Sequence, residues 1–106
     1  MRYRRTKRDA NHRQIVDHLI ALSCSVLDLA AVGGGCPDLL VSRGGRTMLL
    51  EVKRPGVAGK KRGKVQNATN DKQAAFRASW KGELYVVETP EEARSRVLLG
   101  KLGEQP

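Results

Sequence analysis

Apolar residues recur at helical spacing in the first third of the chain and predict a helix there. They are Ile15, Val16, Leu19 and Ile20. Residues spaced by three and four positions lie on one face of a helix, so this face is expected to pack on a sheet. Asn11 and Gln14 have the spacing of a capping box, which predicts that the helix begins at Asn11 and extends to about residue 22.

A strand and a β-hairpin are predicted to follow this helix. Residues 25–29 are largely apolar and partly β-branched, which is typical of a strand. Residues 39–41 and 48–53 form two further runs, with Gly44-Gly45 between them. Glycine adopts the positive φ values of a two-residue type I′ or II′ turn, so this pair predicts a tight hairpin.

The two-residue turn also fixes which hairpin residues face each other. If the two glycines form the loop, Arg43 faces Arg46, and the same register places Asp38 opposite Glu51. Side chains of a strand alternate between its faces, so Lys53 joins Glu51 on one face. Directly opposed carboxylates repel each other. The sequence therefore predicts a site in which the Lys53 ammonium offsets the repulsion between Asp38 and Glu51.

A second helix is predicted after residue 68. It is expected to begin at Thr69 or Asn70 and to end before residue 82, with Phe76 and Trp80 in the hydrophobic core. Gln73 begins the same inward face of this helix. A capping box with Asn70 would account for Gln73 as well.

The last elements are a strand and a helix. Residues 84–87 form a short apolar strand, which a strand–helix–strand connection would place parallel to residues 48–53. Thr89 is a helix cap followed by Pro90, which predicts a helix over residues 90–99 that stops at Gly100. The sequence therefore predicts an α/β fold with a mixed sheet flanked by helices, in the order α-β-β-β-α-β-α.

Composition indicates one domain with a polyanionic partner. The chain has 106 residues, and 20 Lys and Arg against 11 Asp and Glu give a formal net charge of +9. Such an excess of cations most often means that a domain binds nucleic acid. We assign residues 9–100 to the domain, residues 1–8 to a basic flexible arm and residues 101–106 to a tail.

Other classes of protein are disfavoured. No apolar run approaches the ~20 residues of a membrane span, and no apolar signal core follows the first basic residues, so we expect a cytoplasmic protein without membrane contact. Cys24 and Cys36 lack a C-x-x-C spacing and are expected to be unpaired. His12 and His18 lie on different faces of a helix, which disfavours a zinc site.

Two basic segments, residues 1–8 and the glycine-rich loop 54–68, are predicted to contact phosphates. The proposed contacts are Arg4, Arg5, Arg8, Arg54, Lys60, Lys61, Arg62 and Lys64. Cationic side chains bind the sugar-phosphate backbone irrespective of base sequence. A solubilising tail and a plain linker are the alternative interpretations of the two segments.

The cluster of Asp38, Glu51 and Lys53 is a candidate for metal-assisted phosphodiester hydrolysis. Carboxylate ligands that leave positions for water suit Mg²⁺ or Mn²⁺. A neighbouring ammonium can orient a water molecule or stabilise charge on the phosphate. The alternative is an ordinary hairpin in which Asp38 starts a strand and the other two residues lie on a solvated edge.

These residues also carry a resemblance to a known family. Pro37-Asp38, followed by Glu51-Val52-Lys53, resembles the motif of the PD-(D/E)XK nuclease superfamily. The surrounding residues 33–41, Gly-Gly-Gly-Cys-Pro-Asp-Leu-Leu-Val, are similar to its virus-type replication-repair nuclease branch (VRR-NUC), which is related to Holliday-junction resolvases. The resemblance covers about residues 9–95.

The resemblance implies a restriction-endonuclease-like fold and a metal-dependent, structure-specific DNA endonuclease. Its substrate would be branched or flapped DNA in replication, repair or recombination. Asp38, Glu51 and the Val52 carbonyl would bind Mg²⁺ or Mn²⁺, Lys53 would position the attacking water, and Gln73 would lie at the edge of the site. We also expect a homodimer, because the core is small and a branched substrate presents two strands.

One helix departs from the family pattern. Members often carry a Glu in the first helix that helps hold the metal, whereas this chain has Asn11, His12 and Gln14 in the matching turn. Any of these three could hold a water or a phosphate instead, and Asp17 is interpreted as a solvated charge. The departure favours an alternative, a non-catalytic nucleic-acid-binding protein derived from a nuclease. A small restriction or nicking endonuclease is a further alternative.

Overall fold

The computed structural model describes residues 7–54 and 68–100. Within these ranges, three helices and four strands form an α/β arrangement. In chain order, the elements are α1 (Lys7–Ala21), β1 (Ser25–Asp28), β2 (Leu39–Arg43), β3 (Arg46–Val52), α2 (Ala68–Ser79), β4 (Leu84–Val87) and α3 (Pro90–Leu99). The prediction of an α/β fold is confirmed.

The four strands form one mixed sheet in the order β1-β2-β3-β4. β2 runs antiparallel to both of its neighbours, and β3 and β4 are parallel. Arg43 pairs with Arg46 across the turn, where Gly44 and Gly45 have φ values of 60° and 86°. Because a type I′ turn needs positive φ at both central residues, the predicted hairpin and its register are confirmed.

The hydrophobic core lies between one face of this sheet and helices α1 and α3. Leu39, Leu50 and Val87 are fully buried on that face. The core residues of the helices are Ile15, Leu19, Ala93 and Val97. Because β2 and β3 are both anchored by buried side chains, the residues at their adjoining ends are held on a rigid support.

The first helix begins earlier than the sequence pattern predicted. α1 starts at Lys7 rather than Asn11, so the predicted basic arm is helical from Lys7 onward. The capping-box interpretation of Asn11 and Gln14 is wrong, because Asn11 lies inside the helix and its buried side chain bonds to backbone carbonyls of other elements. Ile20, expected on the packed face, is 56% exposed.

The second helix also differs from its prediction. α2 begins at Ala68, so Thr69 and Asn70 lie within it and do not cap it. The assignment of Phe76 and Trp80 to the core is wrong, since Trp80 is 44% exposed and Phe76 is only half-buried. The two rings stack on each other instead, with centroids 5.4 Å apart.

The third helix has the predicted bounds and cap. Thr89 accepts the backbone N–H of Glu92 at 3.1 Å, and Pro90 is the first helical residue. Gly100 follows the last turn with a φ of 59°, a conformation that favours glycine. Local chemistry therefore determines both ends of α3.

Neither cysteine forms a disulfide, as expected, since Cys24 and Cys36 are both free. Cys24 is buried and Cys36 is half-buried. Among the helices that the structure describes, none has the length and apolar character needed to cross a membrane.

Most of the predicted phosphate contacts lie outside the described residues. They are Arg4, Arg5, Lys60, Lys61, Arg62 and Lys64. Of the other two, Arg8 belongs to α1 and Arg54 is exposed shortly after the end of β3. The basic arm up to residue 6, most of the loop 54–68 and the tail 101–106 likewise lie outside the described ranges.

Candidate active site

Asp38 lies immediately before β2, and its carboxylate reaches across the hairpin. The residue is buried, with 6% of its surface exposed. Its Oδ2 accepts the backbone N–H of Val52 at 2.8 Å, and its carbonyl accepts the N–H of Leu29 at 2.7 Å. Backbone hydrogen bonds therefore fix Asp38 between the end of β1 and the end of β3.

Glu51 lies near the end of β3, on the face of the sheet opposite the core. It pairs with Val86 of the parallel strand and is only 1% exposed. Burial raises the pKa of its carboxyl group, and the charge of Asp38 raises that pKa further, whereas the charges of Lys53 and Arg77 lower it. The structure thus brings the two acids together, as the hairpin register predicted.

One oxygen of Glu51 lacks a hydrogen bond. Its Oε2 is buried and has no hydrogen-bond partner within the described part of the chain. Lys53 Nζ lies 3.5 Å from this oxygen and forms an ion pair with it. A buried charged oxygen without a hydrogen bond is unfavourable, and in native proteins such atoms often accept a water or a bound ion.

Lys53 links the acids to α2. Its Nζ donates a hydrogen bond to Gln73 Oε1 at 3.0 Å, in addition to its ion pair with Glu51. Its backbone N–H donates to the carbonyl of Val87 at 2.9 Å, so the main chain of Lys53 is held beside β4. Gln73 therefore orients the ammonium toward Glu51, and the alternative role in a capping box fails because Asn70 lies inside the helix.

A glycine in the loop before Asp38 sets the position of α2. Gly35 has a φ of +84°, and a Cβ at this residue would overlap the backbone carbonyl of Lys72. Glycine tolerates both this backbone conformation and so close an approach. The contact holds the first half of α2, including Gln73, against the loop that carries Asp38.

The three polar residues proposed to replace the missing first-helix Glu have separate positions. Asn11 Nδ2 donates to the carbonyls of Lys53 and Glu88 at 2.9 and 3.1 Å, so its amide ties α1 to the ends of β3 and β4. His12 Nε2 lies 3.2 Å from Asp28 Oδ2. Gln14 is exposed on the helix surface. Only Asn11 reaches the edge of the site, and it does so as a hydrogen-bond donor.

The carboxylates of Asp38 and Glu51 are the side chains available to bind a metal ion at the site. Among residues 7–54 and 68–100, no group of three or more His, Cys, Asp or Glu side chains could hold a metal ion. Mg²⁺ is commonly bound through one or two carboxylates and several waters, and Asp38 with Glu51 matches that set. The Glu51 Oε2 without a hydrogen bond is the observation that fits a cation. A role for the Val52 carbonyl stays a prediction.

Arg77 is a basic residue near the site that the sequence analysis missed. Its positive charge lowers the pKa of the Glu51 carboxyl. It lies one helical turn after Gln73 in α2, and residues four apart are neighbours on one helix face. That spacing is the signal in the sequence that could have identified it.

Comparison with known proteins identifies no relative of this chain. No protein-family model matches it, and no curated protein or solved structure does. Function is therefore inferred from the geometry and chemistry of the site.

Proposed function

We propose that this protein is a metal-dependent DNA endonuclease with a restriction-endonuclease-like fold. The observation that carries this proposal is the cluster formed where β2 begins and β3 ends. Two acids, Asp38 and Glu51, are buried there together. The Lys53 ammonium lies 3.5 Å from Glu51 Oε2, which has no hydrogen-bond partner among residues 7–54 and 68–100. Two carboxylates can hold a divalent cation, and an ammonium beside them can assist phosphodiester hydrolysis.

Each member of the cluster has a distinct part in the proposed reaction. Asp38 and Glu51 would hold Mg²⁺ or Mn²⁺, with the Val52 carbonyl as a further ligand. When bound, the cation would supply positive charge near the phosphate and favour deprotonation of a water. Lys53 would orient the attacking water, and its hydrogen bond to Gln73 would keep the ammonium in place.

The substrate class follows from charge and from the resemblance to replication-repair nucleases. A net charge of +9 favours a polyanion, and the resemblance favours branched or flapped DNA. The basic residues expected to contact its backbone include Arg54, which is exposed beside the site.

We further propose a homodimer, which would let two sites act on the two strands of a branch. Light scattering in the presence and absence of DNA tests this. A mass of one 11.7 kDa chain without DNA, and of one chain per DNA molecule in the complex, would exclude a two-fold arrangement.

A non-catalytic nucleic-acid-binding protein is the second candidate. The observation that favours it is Asn11, which donates hydrogen bonds to two carbonyls. It lies in the first helix, where nucleases of the superfamily that the sequence resembles often have an acid. A small restriction or nicking endonuclease would use the same acids. It would differ by requiring a particular base sequence.

Substitution of the three cluster residues tests the proposed reaction. Asp38→Asn, Glu51→Gln and Lys53→Ala should each lower the rate of cleavage by about 100-fold or more, the scale on which a group that stabilises developing charge contributes. Binding of the DNA should survive. Cleavage of labelled duplex, flapped and four-way-junction DNA is measured with Mg²⁺, with Mn²⁺ and with EDTA.

Asp17→Asn is the matched control for this experiment. Asp17 is an exposed acid on α1 that pairs with Arg13, and its replacement should leave cleavage unchanged. Full activity in any of the three cluster variants would remove that residue from the mechanism. A wild-type protein that binds these substrates but cuts none of them with either metal would instead support the non-catalytic alternative.

A further inference from the structure

We propose that Arg77 is a phosphate-binding residue, whose guanidinium holds a backbone phosphate of DNA bound at the cluster of Asp38, Glu51 and Lys53. This inference rests on the proposed function, because it places the nucleic acid at that cluster. The proposed contact would join α2 to the DNA on the face of the sheet that carries the two acids. No base would be recognised through it, since a phosphate carries no sequence information.

The position of Arg77 on α2 is the first argument. Gln73 contacts the Lys53 ammonium at 3.0 Å, and Gly35 packs against the α2 backbone at Lys72 and Gln73. Arg77 follows Gln73 by four residues, which places their Cβ atoms about 5–6 Å apart on the same helix face. Arg77 therefore lies one helical turn from the residue that contacts the Lys53 ammonium.

The charge of Arg77 is the second argument. Its guanidinium is always protonated, so it places a second cation on the helix whose Gln73 contacts the Lys53 ammonium. A phosphate drawn toward Lys53 would therefore be attracted by Arg77 as well.

The third argument is that Arg77 makes no hydrogen bond or ion pair with any residue that the structure describes. Other arginines are held by the fold. Arg46 binds Glu83 and the Val97 carbonyl, and Arg43 donates to the Leu22 carbonyl. Arg77 is exposed and has its donors available. A guanidinium presents paired N–H groups that match two oxygens of a phosphate, and an ammonium does not.

The test compares DNA binding by wild-type protein, Arg77→Ala, Arg77→Lys and the control Arg94→Ala. Arg94 is an exposed arginine on α3, the helix that packs on the opposite face of the sheet, so its loss lowers net charge equally. Binding to a flapped duplex is measured in EDTA over a range of salt concentrations. Because no cleavage occurs in EDTA, this measurement is independent of whether the protein proves to be a nuclease.

Arg77→Ala should weaken binding about tenfold and flatten the plot of log affinity against log salt by about 0.9, the value for one phosphate contact. Arg77→Lys should keep most of the salt dependence and lose part of the affinity. Arg94→Ala should change affinity less than about twofold, because salt largely screens a charge that lies farther from the DNA than the Debye length. Equal effects of Arg77→Ala and Arg94→Ala would overturn the proposal.

A chemical change in the DNA separates direct contact from any structural effect. Replacing single phosphates near the flap with neutral methylphosphonates should identify one whose neutralisation weakens wild-type binding and has no further effect on Arg77→Ala. Such non-additive losses are the signature of a direct pair. Additive losses at every phosphate would overturn the assignment. If Arg77→Ala folds poorly, Arg77→Gln replaces it in the same set of binding measurements.

Discussion

The two faces of the sheet differ in what they bury. On the face covered by α1 and α3, Leu39 and Leu50 have no exposed surface. On the opposite face, Leu27 is 56% exposed, although Glu51 is only 1% exposed. The first face therefore buries apolar side chains, whereas the second buries a carboxylate beside the apolar Leu49 and leaves Leu27 open to solvent.

Leu50 and Glu51 make this difference sharpest, because they are consecutive residues of β3. Burial of Leu50 removes apolar surface from water and is favourable. Burial of Glu51 removes a charge from water and is unfavourable, which its raised pKa expresses. Burial of Leu50 thus stabilises the fold, and burial of the Glu51 carboxylate opposes stability, as is typical of functional sites.

The largest stability effect is expected from the apolar face. Leu50→Ala should lower the free energy of unfolding by about 2–5 kcal/mol, because it leaves a cavity in the packed core. Leu27→Ala makes the same chemical change on the exposed side and should cost no more than about 0.5 kcal/mol. Urea denaturation measures both. Equal losses would contradict the contrast between the two faces.

An intermediate difference, about 1–3 kcal/mol, is expected between Gly35→Ala and Gly33→Ala, because only Gly35 packs against α2. Gly35→Ala combines the cost of positive φ, about 1–2 kcal/mol, with overlap against the Lys72 carbonyl, for which about 1–3 kcal/mol is typical. Gly33→Ala is the matched control, since Gly33 also has positive φ but has open space at its Cβ position. Both are measured by urea denaturation. If the two variants lose the same stability, α2 is not held by this contact.

The smallest effect is expected in the pH dependence of stability. The pKa of Glu51 in the folded protein is raised above its ordinary value of 4.5, so the unfolded chain loses this proton first as pH rises. The free energy of unfolding should therefore fall as pH rises from 4.5 through the raised pKa. Glu51→Gln should remove that part of the fall.

This experiment is performed in EDTA, so that no metal binds either protein. The stability of Glu51→Gln relative to the wild type should rise with pH in this window and then level off. Glu91→Gln, which makes the same change on the exposed surface of α3, should show no such rise. A stability difference for Glu51→Gln that stays constant with pH would show that burial of Glu51 carries no electrostatic cost.

Features determined by local chemistry were predictable from the sequence. The glycine pair requires a turn with positive φ, and the turn fixes the hairpin register, so the meeting of Asp38 and Glu51 followed from the sequence alone. The cap of α3 was predictable for the same reason, because Thr89 and its bonding partner Glu92 are three residues apart. These features depend on neighbours in sequence or directly across a strand pair.

Features determined by tertiary contacts were not predictable in this way. Asn11 has the side chain of a helix cap, but its partners are the carbonyls of Lys53 and Glu88, which are distant in sequence. Trp80 has the apolar character of a core residue, but it stacks on Phe76 and stays 44% exposed. The approach of α2 to the loop before Asp38 likewise depends on a contact across the fold.

The hydrogen bonds of Asn11 limit how the site could gain a third acid. Replacing its amide nitrogen with an oxygen, as in Asn11→Asp, would place a carboxylate against the carbonyl oxygens of Lys53 and Glu88, with no donor to join them. The change that most simply supplies a third acid would therefore break the tie between α1 and the ends of two strands. A third acid that leaves this tie intact would therefore have to come from a position other than residue 11.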